Sequence, residues 1–318
     1  MTLVIKKIKG RRYYYSFLSY FLVDKSRSFS KYIGVAKPGE KELIKIEDSF
    51  KEELISKRFG KSYSNLLLSK DDVIKSFLFR DLFNKKYQGL TDLKKRKYDI
   101  DSTIIFTLTT LTTEEVDVEL ADVEKAFGKE SRFTQREQIS KNMLNAVESI
   151  KQHHELNKTY LLELHRVIMA NFETKNPGRL RDRQVYLHRR WDSAQPGDTE
   201  LSYRPPHYNK VNSLLDDFFN WYNNSNLNPI EKAAVAHYNL YKIHPFLDGN
   251  KRICRLIFNK TLIDSDFPLI NISLNKEKYF DALVFSVENN KPKTLVDFAL
   301  RQYYLQVKEF LKDDKLQK

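Results

Sequence analysis

Twelve consecutive residues, His244-Pro245-Phe246-Leu247-Asp248-Gly249-Asn250-Lys251-Arg252-Ile253-Cys254-Arg255, collect the side chains that phosphate chemistry requires. Histidine is the side chain best suited to take a proton near neutral pH, and on a tight connection its backbone orients it. Asp248 is a hard oxygen ligand of the kind Mg²⁺ takes while it also holds phosphate oxygens. Gly249 lets the backbone approach a ligand closely, and the amides after it open a helix, whose N-terminus attracts anions. Arg252 and Arg255 stand three apart on one helix face, where each can grip phosphate through forked hydrogen bonds. A base, a metal ligand, an anion nest and two arginines at this spacing point to transfer of a phosphate-containing group.

The flanking pattern says how that segment is held. Asn228-Pro229 starts a helix with proline in its first turn, and Ile230–Ile243 continues it until Pro245, which disfavours helix in the residue before it. A second helix opens near Gly249 and runs through Ile253, Leu256, Ile257 and Leu262. Upstream, Thr113-Glu114-Glu115 reads as the start of a helix through Val116, Leu120, Val123 and Phe127. Thr134 and Glu137 have capping-box spacing ahead of Ile139, Met143, Leu144 and Val147, and Asn157 caps a helix bearing Leu161, Leu164, Ile168 and Met169. Arg183–Leu187 is short and strand-like, Asp192–Pro206 reads as loop, and Lys210–Tyr222 returns to helical spacing. His237 reads as packed and Cys254 as a small buried residue. His165 and His207 have no partner that the sequence names.

Residues 1–110 read as a basic N-terminal extension and 111–318 as the helical domain. The extension opens on a β-hairpin, with Tyr13–Val23 and Phe29–Val35 as strands and Asp24–Ser28 as the turn, and continues at helical spacing from Lys41 to Lys97. The first 100 residues hold 24 Lys and Arg against 12 Asp and Glu, which accounts for +12 of the chain's net +13. Its tyrosines interleave with Lys and Arg, a pattern compatible with base stacking, so nucleic acid stands as an alternative partner. Only 9 of 318 residues are glycine, which argues against glycine-rich dinucleotide folds. The single cysteine excludes an internal disulfide. No run reaches the roughly 18 consecutive apolar residues of a membrane helix. No membrane partner and a cytoplasmic location are therefore expected.

The twelve-residue segment resembles the signature of the Fic (Fic/Doc) family, H-x-F-x-[DE]-G-N-G-R-x-x-R, with Lys251 in place of the second glycine. AHYNLYKIHPF before it and RLIFNKTLI after it resemble the family's approach and motif helices. PGRLRDRQVYL and YRPPHYNKV resemble the flap region, and NKEKYFDAL the segment near the adenine. The resemblance implies a mainly α fold: a Fic-type helical domain with a short β-hairpin flap, preceded by the α+β extension. It implies a protein adenylyltransferase that moves AMP from ATP to a Ser, Thr or Tyr hydroxyl of a target protein, with Mg²⁺ as cofactor. Carried over, His244 is the base and Asp248 the Mg²⁺ ligand. Gly249, Asn250, Lys251 and Arg252 lie along the phosphates, and Arg255 reaches the γ-phosphate. Leu187, His188, Arg189 and Arg190 match the flap that orders a target peptide by strand addition, and Tyr279 and Phe280 the aromatics near the base.

Two points follow from departures. GNKR resembles the Doc branch, which transfers phosphate, whereas Gly249 and Arg255 favour the AMP-transfer orientation, so phosphotransfer is the alternative activity. Many relatives are held off by a glutamate in [ST]-x-x-x-E-[GN] that pairs with the second arginine. Glu130, in Ala126-Phe127-Gly128-Lys129-Glu130-Ser131, is the expected autoinhibitory residue. Regulated relatives often pair, which makes a homodimer an expectation too.

Overall fold

The computed structural model describes residues 2–59, 63, 67–128, 132–152, 154–170, 172–190 and 199–313. It divides into two compact units, one formed by Met1–Gly89, Asn226–Asn228 and Tyr304–Lys318 and the other by Leu90–Ser225 and Pro229–Tyr303.

The first unit opens with a three-stranded antiparallel meander, β1 (Thr2–Ile8), β2 (Arg11–Phe21) and β3 (Ser26–Gly34), in sheet order β1-β2-β3. The expected hairpin is β2–β3; β1 is additional. Lysines mask β1 in the sequence, and lysine is what an edge strand carries to discourage further pairing. Lys9 and Gly10, both at positive φ, make the two-residue turn that sets Ile8 opposite Arg11. Alternation along β2 buries Tyr14, Ser16, Leu18 and Tyr20 on one face, while Tyr15 and Tyr32 meet on the other, their ring centroids 5.4 Å apart. Tyr20 donates to Asp71 at 2.8 Å, and Lys51 bridges Asp71 and Glu47.

Two helices follow, α1 (Glu40–Phe59) and α2 (Lys70–Gln88). Ser69 caps α2, accepting from the Asp72 amide, and α2 buries Val73, Ile74, Phe77, Leu78, Phe79 and Phe83. Phe79 meets Tyr304 and Phe83 meets Phe310, two residues of the chain's last helix, α11 (Lys293–Lys312). Lys86 Nζ donates to the carbonyls of Phe310, Leu311 and Asp313. A cation thereby satisfies acceptors that the C-terminal turn leaves open.

The second unit is helical: α3 (Asp92–Thr113), α4 (Leu120–Phe127), α5 (Gln135–Lys151), α6 (Lys158–Ile168), α7 (Val211–Asn224), α8 (Pro229–Ile243), α9 (Asn250–Ile263) and α10 (Lys276–Glu288), with the start of α11. The boundary placed near residue 110 falls inside α3, which belongs wholly to this unit. Thr134 and Glu137 make the expected reciprocal capping box of α5, and Asn157 caps α6 by accepting from the Tyr160 amide. One helix boundary is reversed. Thr113-Glu114-Glu115 ends a helix instead of starting one. Glu115 takes the left-handed conformation, the Val116 amide returns to Leu111 O and the Glu115 amide to Thr112 O, which is a Schellman termination.

Between α6 and α7 lies a small hairpin, β4 (Leu187–Arg190) paired antiparallel with β5 (Thr199–Tyr203), Leu187 opposite Tyr203 and Arg190 opposite Thr199. The second strand corrects the loop expected over Asp192–Pro206. Thr199–Tyr203 is too short and polar to show as a strand without its partner. No helix among the described residues is long and apolar enough to cross a membrane.

Candidate active site

Helices α8 and α9 deliver the segment 244–255, and the connection between them is fixed atom by atom. His244 follows the last residue of α8 with φ +50, its amide bonded to Leu240 O at 2.9 Å. Histidine tolerates that left-handed backbone better than most residues do. Asn250 closes the loop: its Oδ1 accepts from the Phe246 amide and its Nδ2 donates to the Phe246 carbonyl, both at 2.9 Å. The Asn250 side chain is therefore spent on the loop, and its backbone amide lies in the first turn of α9. Gly249, at φ +75, caps that helix. A Cβ there would stand 3.1 Å from Met169 Sδ and 3.4 Å from His165 Cδ2, so space as well as dihedral calls for glycine.

His165 is a partner of the loop that the sequence did not reveal. Its ring stacks on Phe246, centroids 3.7 Å apart and planes 5° from parallel. The Gly178 amide donates to Nδ1 at 2.9 Å, so Nε2 carries the proton and donates to Asp248 O at 3.0 Å. Burial pushes its pKa down to about 4, which keeps this arrangement neutral. The carbonyl of Asp248 is thus pinned from below while its carboxylate, 45% exposed, remains on the open side.

The electrostatics set a neutral imidazole beside a positively charged helix N-terminus. Burial lowers the His244 pKa to about 4; the Tyr241 backbone pulls upward, and Arg181 and Lys251 reinforce the lowering. The imidazole is neutral at physiological pH. The first turn of α9 contains no acidic residue and holds Lys251 and Arg252, so cations add to the positive end of the helix. Arg252 is buried and touches the Asp248 carboxylate at 3.4 Å. Nε of Arg252 and Nε of Arg255 are buried donors with no hydrogen-bond partner among the described residues.

Arg255 is fully buried, and it already has a carboxylate. Glu114 Oε1 lies 2.7 Å from Arg255 Nη2, and Glu114 Oε2 lies 3.1 Å from Lys251 Nζ. Arg255 Nη2 also donates to Thr110 O at 3.0 Å, a carbonyl in the last turn of α3. Burial raises the Glu114 pKa, but the two cations outweigh it and the net shift is downward. The glutamate expected here was Glu130, which lies outside the described residues. Glu114 holds the pairing that was assigned to it. The signal was present: Thr110-Leu111-Thr112-Thr113-Glu114 satisfies [ST]-x-x-x-E, and Glu115 occupies the left-handed position that Gly or Asn fills in the pattern.

Tyr279 is fully buried, and its hydroxyl meets His237 Nε2 at 2.9 Å and Arg255 Nη1 at 3.4 Å. It braces the arginine from behind. Phe280 is half-buried, with Lys251 Nζ 4.8 Å above its ring. Leu187–Arg190, read as the flap, form β4. Cys254 is buried, as expected.

Residues 155–262 match the Fic/DOC family model. This stretch is similar to Fic domains. Protein adenylyltransferase fic-1 of Caenorhabditis elegans is 34% identical over 147 residues, covering 45% of this chain and 26% of the relative. Protein adenylyltransferase Fic of Drosophila erecta is 34% identical over 146 residues, covering 45% and 27%. The chain thus spans about a quarter of the length of the curated relatives it matches. Among solved structures, a Fic-domain signalling protein of Bacteroides thetaiotaomicron superposes with a TM-score of 0.63 at 20% identity, covering 77% of this chain and 97% of that one. Residues 134–508 of Fic-1 from C. elegans superpose with a TM-score of 0.59 at 20% identity, covering 89% and 80%. At that identity the likeness to both structures is one of fold. The matched residues begin at 155 and end within the last turn of α9, so they contain the loop and both arginines, while Glu114 lies before them.

Proposed function

We propose that this chain is a protein adenylyltransferase that moves AMP from ATP to a protein hydroxyl and that Glu114 holds it in check. The observation that carries the reading is the neutral buried His244 beside a helix N-terminus ringed by Lys251, Arg252 and Arg255. A neutral imidazole accepts the proton of an attacking hydroxyl. The new bond joins that oxygen to the α-phosphorus, the bond to the β-phosphate oxygen breaks, and pyrophosphate leaves. The α9 amides, Arg252 and Arg255 face the charge that develops on the phosphates, and the orphaned Nε donors fit phosphate oxygens. Asp248 fits a hard divalent cation: its carboxylate is half exposed beside the anion site. Bound there, Mg²⁺ would neutralise phosphate charge. The β4–β5 hairpin offers backbone edges for an extended target segment.

Glu114 acts by occupation. Its carboxylate neutralises Arg255 and Lys251, the two groups that an ATP γ-phosphate would use, so phosphate and carboxylate exclude one another. Intact-mass analysis after incubation with ATP and Mg²⁺ tests both halves of this reading. Glu114→Gly is expected to gain AMP on the chain itself, wild type less, and His244→Ala none. A gain of phosphate in place of AMP would move the chain to the phosphotransferase reading, with Lys251 as the residue to explain it. No gain in Glu114→Gly would overturn transfer onto this chain.

A further inference from the structure

Arg181 is buried to 3% exposure, lies outside the twelve-residue segment, and pairs with no carboxylate among the described residues. Its guanidinium is surrounded by backbone carbonyls. Nε donates to His244 O at 2.8 Å, Nη1 to Arg183 O at 3.2 Å, and Nη2 to Pro206 O. Its own amide donates to Pro245 O at 2.9 Å. Desolvation lowers its pKa, but a guanidinium remains charged even so. A buried cation satisfied only by carbonyls is costly to place, and a lysine could not reach three divergent acceptors with a planar fork.

The acceptors are not arbitrary. Arg183 and Pro206 are the two feet of the β4–β5 hairpin, and Gln184 Nε2, donating to Pro205 O at 2.9 Å, adds a second rung there. The third acceptor belongs to the residue read as the base, whose φ is +50. A non-glycine residue in that region persists only where its surroundings hold it. For His244 the amide is held by α8 and the carbonyl by Arg181, so the two together set where the imidazole stands.

We infer that Arg181 is a positioning residue that couples the β4–β5 hairpin to His244, so that a change at the feet of the hairpin moves the base. This rests on the reading of His244 as base and the hairpin as docking edge, and it deepens that reading. The coulombic effect of Arg181 on the imidazole acts in the same sense, favouring the neutral form.

The test uses the full-length chain carrying Glu114→Gly, with His244 followed by its imidazole NMR signals and self-modification by intact mass. Arg181→Lys is expected to bind ATP with the affinity of its parent, to shift the His244 signals, and to modify itself about 100-fold more slowly, the order of loss that a misplacement near 1 Å produces. Gln184→Ala, which loosens the hairpin feet without touching His244, is expected to shift the same signals and slow modification several-fold. A structural role alone would lower the melting temperature and leave the His244 signals in place. Unshifted His244 signals in Gln184→Ala overturn the coupling even if Arg181→Lys fails to fold. Absence of self-modification in the parent overturns the transferase reading instead, and the His244 signals still decide the role of Arg181.

Discussion

Glu114 and Arg255, 141 residues apart in sequence, form a buried ion pair at 2.7 Å across the C-terminus of α3 and the middle of α9. A carboxylate at a helix C-terminus opposes the helix dipole. Glu114 therefore keeps its place only because Arg255 and Lys251 hold it there. Removing it leaves Arg255 as an uncompensated buried charge, a loss of about 3–5 kcal/mol in comparable pairs. Glu114→Gly is thus expected to be less stable than wild type without nucleotide and to regain more on adding ATP and Mg²⁺, since a ligand that binds only the folded state stabilises it by mass action. Thermal unfolding with and without nucleotide measures this. An equal gain for both proteins would show that phosphate and carboxylate do not compete.

Lys251 supplies the second hold on Glu114, at 3.1 Å, and it is the position where the chain departs from the family pattern. Its ammonium is partly exposed, so its pair is weaker than that of Arg255. Lys251→Gly is expected to raise basal self-modification, but by less than Glu114→Gly does. In the Glu114→Gly background the same substitution should instead weaken ATP binding, because the lysine then faces phosphate. A Lys251→Gly chain with unchanged basal rate and unchanged ATP affinity would remove both roles.

The acid side of the pH profile follows from three buried histidines. His165, His237 and His244 have pKa values lowered by burial to about 4, 3 and 4 from an ordinary 6.5. Between about pH 6.5 and 4 the unfolded chain binds more protons than the folded one, so stability rises with pH through that window and is lost as pH falls. Glu114, its pKa lowered by its cations, acts in the same direction. Urea unfolding at pH 7 and pH 5 should show the lower midpoint at pH 5; equal midpoints would contradict burial of the neutral rings. For activity, the groups facing His244 are Arg181, Lys251, Glu114 and the Tyr241 backbone. Glu114 favours the protonated ring, so Glu114→Gly should lower the pKa of the free-chain imidazole, which a pH titration of its NMR signals measures.

The chemistry-bearing loop was legible because its information is local: proline, glycine and charges within twelve residues specify a helix, a turn and a second helix. Capping at Thr134 and Asn157 was legible for the same reason. The remainder depended on contacts distant in sequence. His165 reaches Asp248 across 83 residues and Arg181 reaches His244 across 63, and neither has a neighbour that announces its partner. β5 needed β4 before its polar residues could read as a strand, and β1 was hidden by the lysines that suit an edge. Glu114 was misplaced for a different reason. An acidic pair after threonine resembles a helix start, and only the positive φ of Glu115 shows that the chain is turning out of a helix instead.

That turn is itself testable. Glu115 sits at φ +58, a conformation that costs an ordinary residue about 1–2 kcal/mol, whereas glycine adopts it freely and loses about 0.5–1 kcal/mol in extra unfolded-chain entropy. Its pairing with Lys276, 3.9 Å away between largely exposed side chains, contributes little. Glu115→Gly is therefore expected to stabilise the folded chain by about 0.5–1 kcal/mol. It should also lower basal self-modification, because a firmer Schellman turn holds Glu114 more tightly against Arg255. Glu115→Val, β-branched and ill-suited to positive φ, should do the reverse on both counts. Melting temperatures and self-modification rates of the two variants decide the matter. If they move together with no opposition of sign, the turn does not set the position of Glu114.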